Sequence, residues 1–330
     1  MDRRTFIGSV ASAFLAAPLV VGAQPTKRVA RIGFIGAWYS PSAAASLFDA
    51  FRRGMRELGY VEGQNLSIDT RWVGEKGNVR DEAAKAAVEL IRSKVDVLVV
   101  QGTAIDGVKD EAGSVPVVFG YSGDPVEAKL VTSLARPGGN FTGMTLMALE
   151  VAGKQLQLLK EVVPNLSRVA VIVNPLHPGE DAEFQRSQIA AQRLGLTLRY
   201  FPVRSVADVD AALEAIARDR VQAILAFANL LIYRQRNAIA EFAATQRIPT
   251  ISGWADFAVD GNLMTYGPDL EESWRFMATY VDKILKGTKP AELPVVQPTK
   301  FELVINLKTA KTLGLTIPPS LLLRADKVIQ

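Results

Sequence analysis

From residue 29 onward, short runs of β-branched and apolar residues alternate with amphipathic stretches of helical period. The runs predict strands over 29–36, 66–72, 95–101, 115–121 and 141–145, then a second series over 168–174, 196–203, 223–227, 250–252 and 263–266. Several are nearly continuous apolar runs, as in Val95-Asp96-Val97-Leu98-Val99-Val100, which suits a strand covered on both faces of a parallel sheet. Ala44, Leu47, Phe48, Phe51, Met55 and Leu58 recur at helical spacing, and Gly59 follows as a stop. Another helix begins at Asp269, with Glu272 three residues on as its capping partner. It sets Leu270, Trp274, Met277, Val281 and Ile284 on one stripe before Gly287 and Pro290, and Trp274 reads as core packing.

Alternating strands and helices predict an α/β architecture with doubly wound parallel sheets, and two such series predict two similar lobes. Crossings between them are expected at the glycine-rich stretch 138–144, at 264–267 and at 301–306. The resulting division puts 24–143 plus 268–295 in an N-terminal lobe and 144–267 plus 296–330 in a C-terminal lobe, with several short crossings acting as a hinge.

The first 23 residues break this pattern. Arg3 and Arg4 precede an apolar run that ends in small residues, which reads as a signal peptide with Val21 and Ala23 flanking the cleavage point and Gln24 first in the mature chain. The run Asp2-Arg3-Arg4-Thr5-Phe6-Ile7 also resembles a twin-arginine signal, the general secretory route being the alternative. An uncut anchor would be short against the ~20 residues of a membrane span. A periplasmic location follows. Of 330 residues, 307 remain after 1–23, a comfortable length for two domains.

Composition narrows the chemistry. With 38 basic and 34 acidic residues the net charge is +4, and no basic block or aromatic-interleaved basic stripe suggests a nucleic-acid partner. The chain has no cysteine, which removes disulfides, thiolate chemistry and a lipid-anchored cysteine. Its one histidine, His177, sits beside Pro178 and reads as part of an exposed turn. No G-x-S-x-G elbow, phosphate loop or dinucleotide fingerprint occurs, the nearest approach being Gly120-Tyr121-Ser122-Gly123-Asp124. No catalytic residue, metal site or cofactor is therefore expected.

In open parallel sheets, ligands bind beyond the carboxyl ends of the strands. With two lobes facing each other, the residues after each strand line a cleft. Those residues are Trp38 and Tyr39, Thr103, Tyr121, Ser122 and Asp124 in the first lobe, and Asn174, Asn229, Trp254 and Asp256 in the second. Asp124 before Pro125 also suits a helix cap, Asn174-Pro175 a turn, and Thr103 a cap. Aromatic walls with one or two carboxylates suit a small zwitterionic or aromatic ligand. Asp124 and Asp256 are the candidates for an ammonium group, and Thr103 and Ser122 for a carboxylate.

Three segments resemble a known family: Glu57-Leu58-Gly59-Tyr60-Val61-Glu62-Gly63-Gln64-Asn65-Leu66, Ser133-Leu134-Ala135-Arg136-Pro137-Gly138-Gly139-Asn140-Phe141-Thr142-Gly143, and the stretch from Gln297 to Lys311. They are similar to ABC-transporter substrate-binding proteins, a family with tryptophan- and other aromatic amino-acid-binding members, over roughly 29–328. The family more often looks like Gly-Gly-Leu where this chain has Asp260-Gly261-Asn262-Leu263. The resemblance implies a type I periplasmic binding fold, a ligand in the cleft and closure by a hinge. It also implies a monomeric receptor whose partners are a small-molecule ligand and an ABC permease with its ATPase in the inner membrane. The alternatives are a sensor feeding a membrane signalling receptor and an exported enzyme on a similar fold.

Overall fold

The computed structural model describes residues 29–37, 44–74, 78–147 and 149–330. The signal-peptide segment 1–23 and the cleft candidates Trp38 and Tyr39 lie outside the described residues.

The first sheet is built from β1 (Ala30–Gly36), β2 (Leu66–Trp72), β3 (Val97–Gln101), β4 (Val117–Tyr121) and β5 (Phe141–Thr145), all parallel in the order β2-β1-β3-β4-β5. Helices α1 (Ala45–Glu57), α2 (Val79–Arg92) and α3 (Ile105–Val108) connect its strands. The apolar runs behave as their patterning requires, since every residue of β3 and β4 is buried.

The second half runs through α4 (Val151–Val162), β6 (Arg168–Val173), α5 (Glu180–Arg193), β7 (Thr197–Pro202), α6 (Asp208–Arg218), β8 (Ala223–Ala226), α7 (Leu230–Arg234) and α8 (Arg236–Gln246). It continues with β9 (Thr250–Ser252), α9 (Asp256–Val259), β10 (Met264–Pro268), α10 (Leu270–Leu285), β11 (Phe301–Asn306), α11 (Leu307–Thr312), α12 (Pro319–Leu322) and β12 (Lys327–Ile329). Its seven strands order as β12-β11-β10-β9-β8-β6-β7, with only the β10–β11 pair antiparallel. Both sheets share one winding scheme, and the second adds two C-terminal strands at its edge.

Helix α10 follows β10 in the chain yet packs on the first sheet. Asp269 caps it by accepting the Glu272 N–H at 3.0 Å, and Trp274, Met277, Val281 and Ile284 form its buried stripe. That stripe meets Leu47, Phe51 and Met55 of α1, and the Phe34 ring of β1 lies 5.6 Å from Phe51 and 5.7 Å from Trp274. The two helices cross closely because Gly54 has no side chain. A Cβ there would stand 2.6 Å from the Arg275 carbonyl oxygen and 2.8 Å from Ala278 Cβ.

The strands expected at 141–145 and 263–266 are present, and 301–306, expected only as a crossing, is a strand as well. Residues 141–145 form β5, 264–268 form β10, and 301–306 form β11 with Val304 and Ile305 fully buried. Their apolar content satisfies a sheet, so the chain passes between sheets just outside each of them. Two passing strands are tied side by side, Thr145 N–H to Val296 O and Val296 N–H to Gly143 O, both at 3.0 Å.

Candidate functional site

The carboxyl ends of the two sheets face each other, and the loops that follow β4 and β6 touch. The Ser122 hydroxyl lies 3.0 Å from His177 Nε2, the Asp124 N–H donates to Pro178 O at 2.9 Å, and the Tyr121 ring stacks on the His177 ring at 5.7 Å. Farther along the cleft, Arg234 Nη2 on α7 donates to Gly74 O beyond β2 at 3.1 Å.

His177 corrects the expectation of an exposed turn, being only 6% exposed. Pro178 does mark a turn, but its carbonyl is used by the opposite lobe. Gly179, at φ 91°, lets the chain fold tightly there, where a Cβ would come within 2.5 Å of Met147 Sδ. Burial pushes the imidazole pKa down to about 4. With Ser122 donating to Nε2, Nδ1 carries the proton and faces Glu180 Oε1 at 3.4 Å, without hydrogen-bond geometry. Glu180 accepts from the Asn174 N–H at 2.7 Å and from Asn229 Nδ2 at 2.6 Å. Burial raises its pKa, and those two donors oppose the rise.

Beside this contact is a small cavity of about 30 Å³, lined by Ser122, Met147, Gln155, Glu183, Phe227 and Trp254. Of the candidates read from the sequence, the structure brings Ser122 and Trp254 into this cavity, while Tyr121 is fully buried outside its lining. The Tyr121 hydroxyl is buried without a hydrogen-bond partner, and burial raises its pKa.

The remaining candidates are occupied elsewhere. Asp124 Oδ1 accepts the N–H groups of Val126 and Glu127 at 2.7 and 3.1 Å, which is capping chemistry. Asn174 Oδ1 closes a turn onto the Leu176 N–H, and the fully buried Asn229 caps α7 through the Ile232 N–H. Asp256 accepts the Tyr233 hydroxyl at 2.6 Å and lines a separate, more open cavity with Glu302 and Lys327. Thr103 sits half-buried in a one-turn helix, Gly102–Ala104, outside the cavity lining.

Two polar side chains of the lining escaped sequence reasoning. Gln155, on α4, is buried and donates to Tyr266 O at 2.8 Å. Glu183 lies in the first turn of α5, and among the described residues its carboxylate has neither a hydrogen bond nor an ion pair. Burial alone pushes its pKa up to about 8. Neither residue follows a strand directly, so searching post-strand loops passed them by. The described residues contain no group of three or more His, Asp or Glu able to hold a metal ion, and no helix long and apolar enough to cross a membrane.

The family model described as ABC transporter substrate binding protein matches residues 35–329. The chain belongs to that family. This substrate-binding protein is 23% identical over 271 residues to a tyrosine-binding protein of Clostridioides difficile (strain R20291), covering 80% of this chain and 75% of that one. A Streptococcus pneumonia ABC domain solved in complex with L-Trp is 26% identical, with a TM-score of 0.83 over 91% of this chain and 100% of that one. A ligand-free, open substrate-binding protein of Clostridium difficile shares the fold at 20% identity, with a TM-score of 0.70 over 92% of this chain and 100% of that one. The α/β architecture with two parallel-strand sheets is that of type I periplasmic binding proteins.

Proposed function

We propose that this substrate-binding protein is the receptor of an ABC importer, capturing a small carboxylate-bearing solute, an amino acid or aromatic acid, between its lobes. The observation that carries this reading is the meeting of the two lobes at one spot, where Ser122 on one side and Gln155, Phe227 and Trp254 on the other wall a cavity that is only about 30 Å³ with the lobes in contact and widens as they part. A pocket shared by two bodies is filled and sealed only when they close, and closure is the signal a permease can read. The bodies are 24–143 plus 268–295 and 144–267 plus 296–330, which move as lobes about the paired crossings. Ser122 and Tyr121 serve the ligand from one lobe and Trp254 from the other. Trp38 and Tyr39, which follow the first strand in sequence, are further candidates for contact with the ligand, as is Thr103 on an opened cleft, while Asp124, Asn174 and Asn229 hold the loops of the cleft and Asp256 holds Tyr233. The names of the tyrosine-binding relative and the L-Trp complex favour an aromatic amino acid. Residues 1–23 direct export to the periplasm, where the protein works as a monomer and not as an enzyme.

The test is a thermal-shift and calorimetric screen of the purified protein against amino acids and aromatic acids. A true ligand at ~100 times its dissociation constant should add roughly 2.7 kcal/mol of stability. Absence of any shift across the panel would defeat this ligand class.

One observation favours a second reading, an exported acyl-transfer enzyme. Ser122, His177 and Glu180 stand in the order nucleophile, base and orienting carboxylate. Against it stands the imidazole pKa of about 4, which makes His177 a poor base at neutral pH. Labelling of Ser122 by a fluorophosphonate probe, lost in Ser122→Ala, would establish the enzyme.

A further inference from the structure

The lobe-bounded cavity carries a single ionisable side chain among the described residues that line it, Glu183. The other groups of the lining are neutral, namely the Ser122 hydroxyl, the Gln155 amide, and the apolar faces of Phe227, Trp254 and Met147, while the Glu180 carboxylate stands one turn back on α5 within reach of its charge. Nearby carboxylates are already engaged. Glu180 holds the Asn174 N–H and Asn229 Nδ2, Asp124 holds two N–H groups of its own loop, and Asp256 holds the Tyr233 hydroxyl. Glu183 is thus the acidic group left without a described partner, and it stands at the edge of the space a ligand would fill. Glu183 is half-buried, and a carboxylate partly screened from water without a partner carries a desolvation cost. A cation arriving with the ligand removes that cost.

We propose that the Glu183 carboxylate is the counter-ion for a protonated amine on the bound solute, which restricts the cleft to amine-bearing ligands. The inference rests on the receptor reading above and narrows it from carboxylate-bearing solutes in general to amino acids. The amine would sit between Glu183, Ser122 and Gln155, and the side chain of the solute would lie toward Phe227 and Trp254. Burial pushes the Glu183 pKa up to about 8, so the group is largely protonated at neutral pH before the ligand arrives, and an ammonium beside it favours loss of that proton.

Calorimetry on the full protein tests this with matched probes: L-tyrosine and L-tryptophan, their deaminated counterparts 3-(4-hydroxyphenyl)propionate and indole-3-propionate, and the decarboxylated amines tyramine and tryptamine. Wild type should bind an amino acid at least thirtyfold more tightly than its deaminated counterpart. Glu183→Gln should lose at least tenfold for the amino acid and nothing for the deaminated acid. Its ligand-free melting temperature should stay level or rise, which separates lost recognition from lost folding. Equal wild-type affinity for amino acid and deaminated acid, or full amino-acid affinity in Glu183→Gln, overturns the counter-ion. Binding of deaminated acids alone overturns it and leaves the carboxylate receptor standing. Binding of the amines as tightly as the amino acids supports Glu183 and removes the carboxylate from the receptor reading. Binding of no probe removes both.

Discussion

Ser122 and His177 come from loops that follow strands of different sheets, yet their side chains meet, Oγ to Nε2, at 3.0 Å. The contact exists only while the two lobes touch. In an open cleft both groups would be hydrated, so its free energy belongs to closure and not to the folding of either lobe. A neutral hydrogen bond of this kind contributes about 0.5–1.5 kcal/mol.

Ser122→Ala should therefore weaken ligand binding roughly three- to tenfold while leaving the ligand-free melting temperature nearly unchanged. Calorimetric titration with L-tyrosine or L-tryptophan reads the first quantity and a thermal melt the second. A variant that melts early and binds normally would place the contact in folding instead.

Acid should act through His177. Its folded pKa of about 4 lies below the usual value of 6.5, so between those pH values the unfolded chain binds the proton and the folded chain does not. Stability from this group is whole above pH 6.5 and falls as pH drops toward 4, by about 3 kcal/mol at most. Glu183, raised to about 8, works in the opposite sense, because the folded form holds its proton more tightly. The difference between wild type and His177→Gln cancels the Glu183 part. Because the loop of the opposite lobe is what covers His177, that difference is read from urea melts of the ligand-saturated, closed protein at pH 7.5 and pH 4.5, and it should move against the wild type at the lower pH.

Asp124 offers a sharp contrast between substitutions. Its Oδ1 accepts the Val126 and Glu127 N–H groups, a task an asparagine oxygen performs as well. Asp124→Asn should cost under about 0.5 kcal/mol and Asp124→Ala about 1 kcal/mol, both read from denaturant midpoints. A large loss of ligand affinity in Asp124→Asn, with stability intact, would return the charge of Asp124 to the binding site.

Much of the architecture was legible because strand and helix periodicities are local properties. The run Val97-Leu98-Val99-Val100 can only be buried, and Asp269 with Glu272 can only begin a helix, wherever the rest of the chain goes. The site was less legible because it is made by contact between distant segments. His177 beside Pro178 looks like a surface turn until the Tyr121–Asp124 loop is laid on it. Asp124, Asn174 and Asn229 have the residue types of ligand contacts, but short-range partners consume them. Glu183 has an ordinary helical position and becomes notable only through the partners it lacks. Residues 301–306, expected only as a crossing, form a strand because β10 offers an antiparallel partner that no local pattern announces.

Gly54 tests the packing that holds α10 on the first lobe. Alanine would normally favour a helix by about 1 kcal/mol over glycine. Here the new methyl group would face the Arg275 carbonyl oxygen at 2.6 Å, a backbone atom that cannot rotate away. Gly54→Ala should therefore destabilise by roughly 1–3 kcal/mol, seen as a lower urea midpoint with an unchanged slope. A stabilised variant would mean that the α1–α10 crossing adjusts freely.

Trp254 decides whether the cleft recognises an aromatic ring. The side chain lines the cavity and is only 4% exposed, and its ring lies 5.4 Å from that of Tyr233, whose hydroxyl is held by Asp256. It thus has two duties, supporting the second lobe and offering a wall to the ligand. Trp254→Ala removes both, and its stability cost of about 3–5 kcal/mol would by itself obscure any role in binding. Trp254→Leu keeps apolar volume but loses the flat face, so stability should fall less than selectivity. The informative quantity is the ratio of affinities for L-tryptophan and L-alanine, measured at a temperature where the variant stays folded. Loosening of the lobe weakens both ligands together and leaves the ratio fixed. Loss of a ring-stacking wall weakens L-tryptophan alone, and the ratio should drop by roughly tenfold or more, as for an aromatic anchor. A constant ratio would confine Trp254 to the core and leave the aromatic preference to Phe227 and the first-lobe wall.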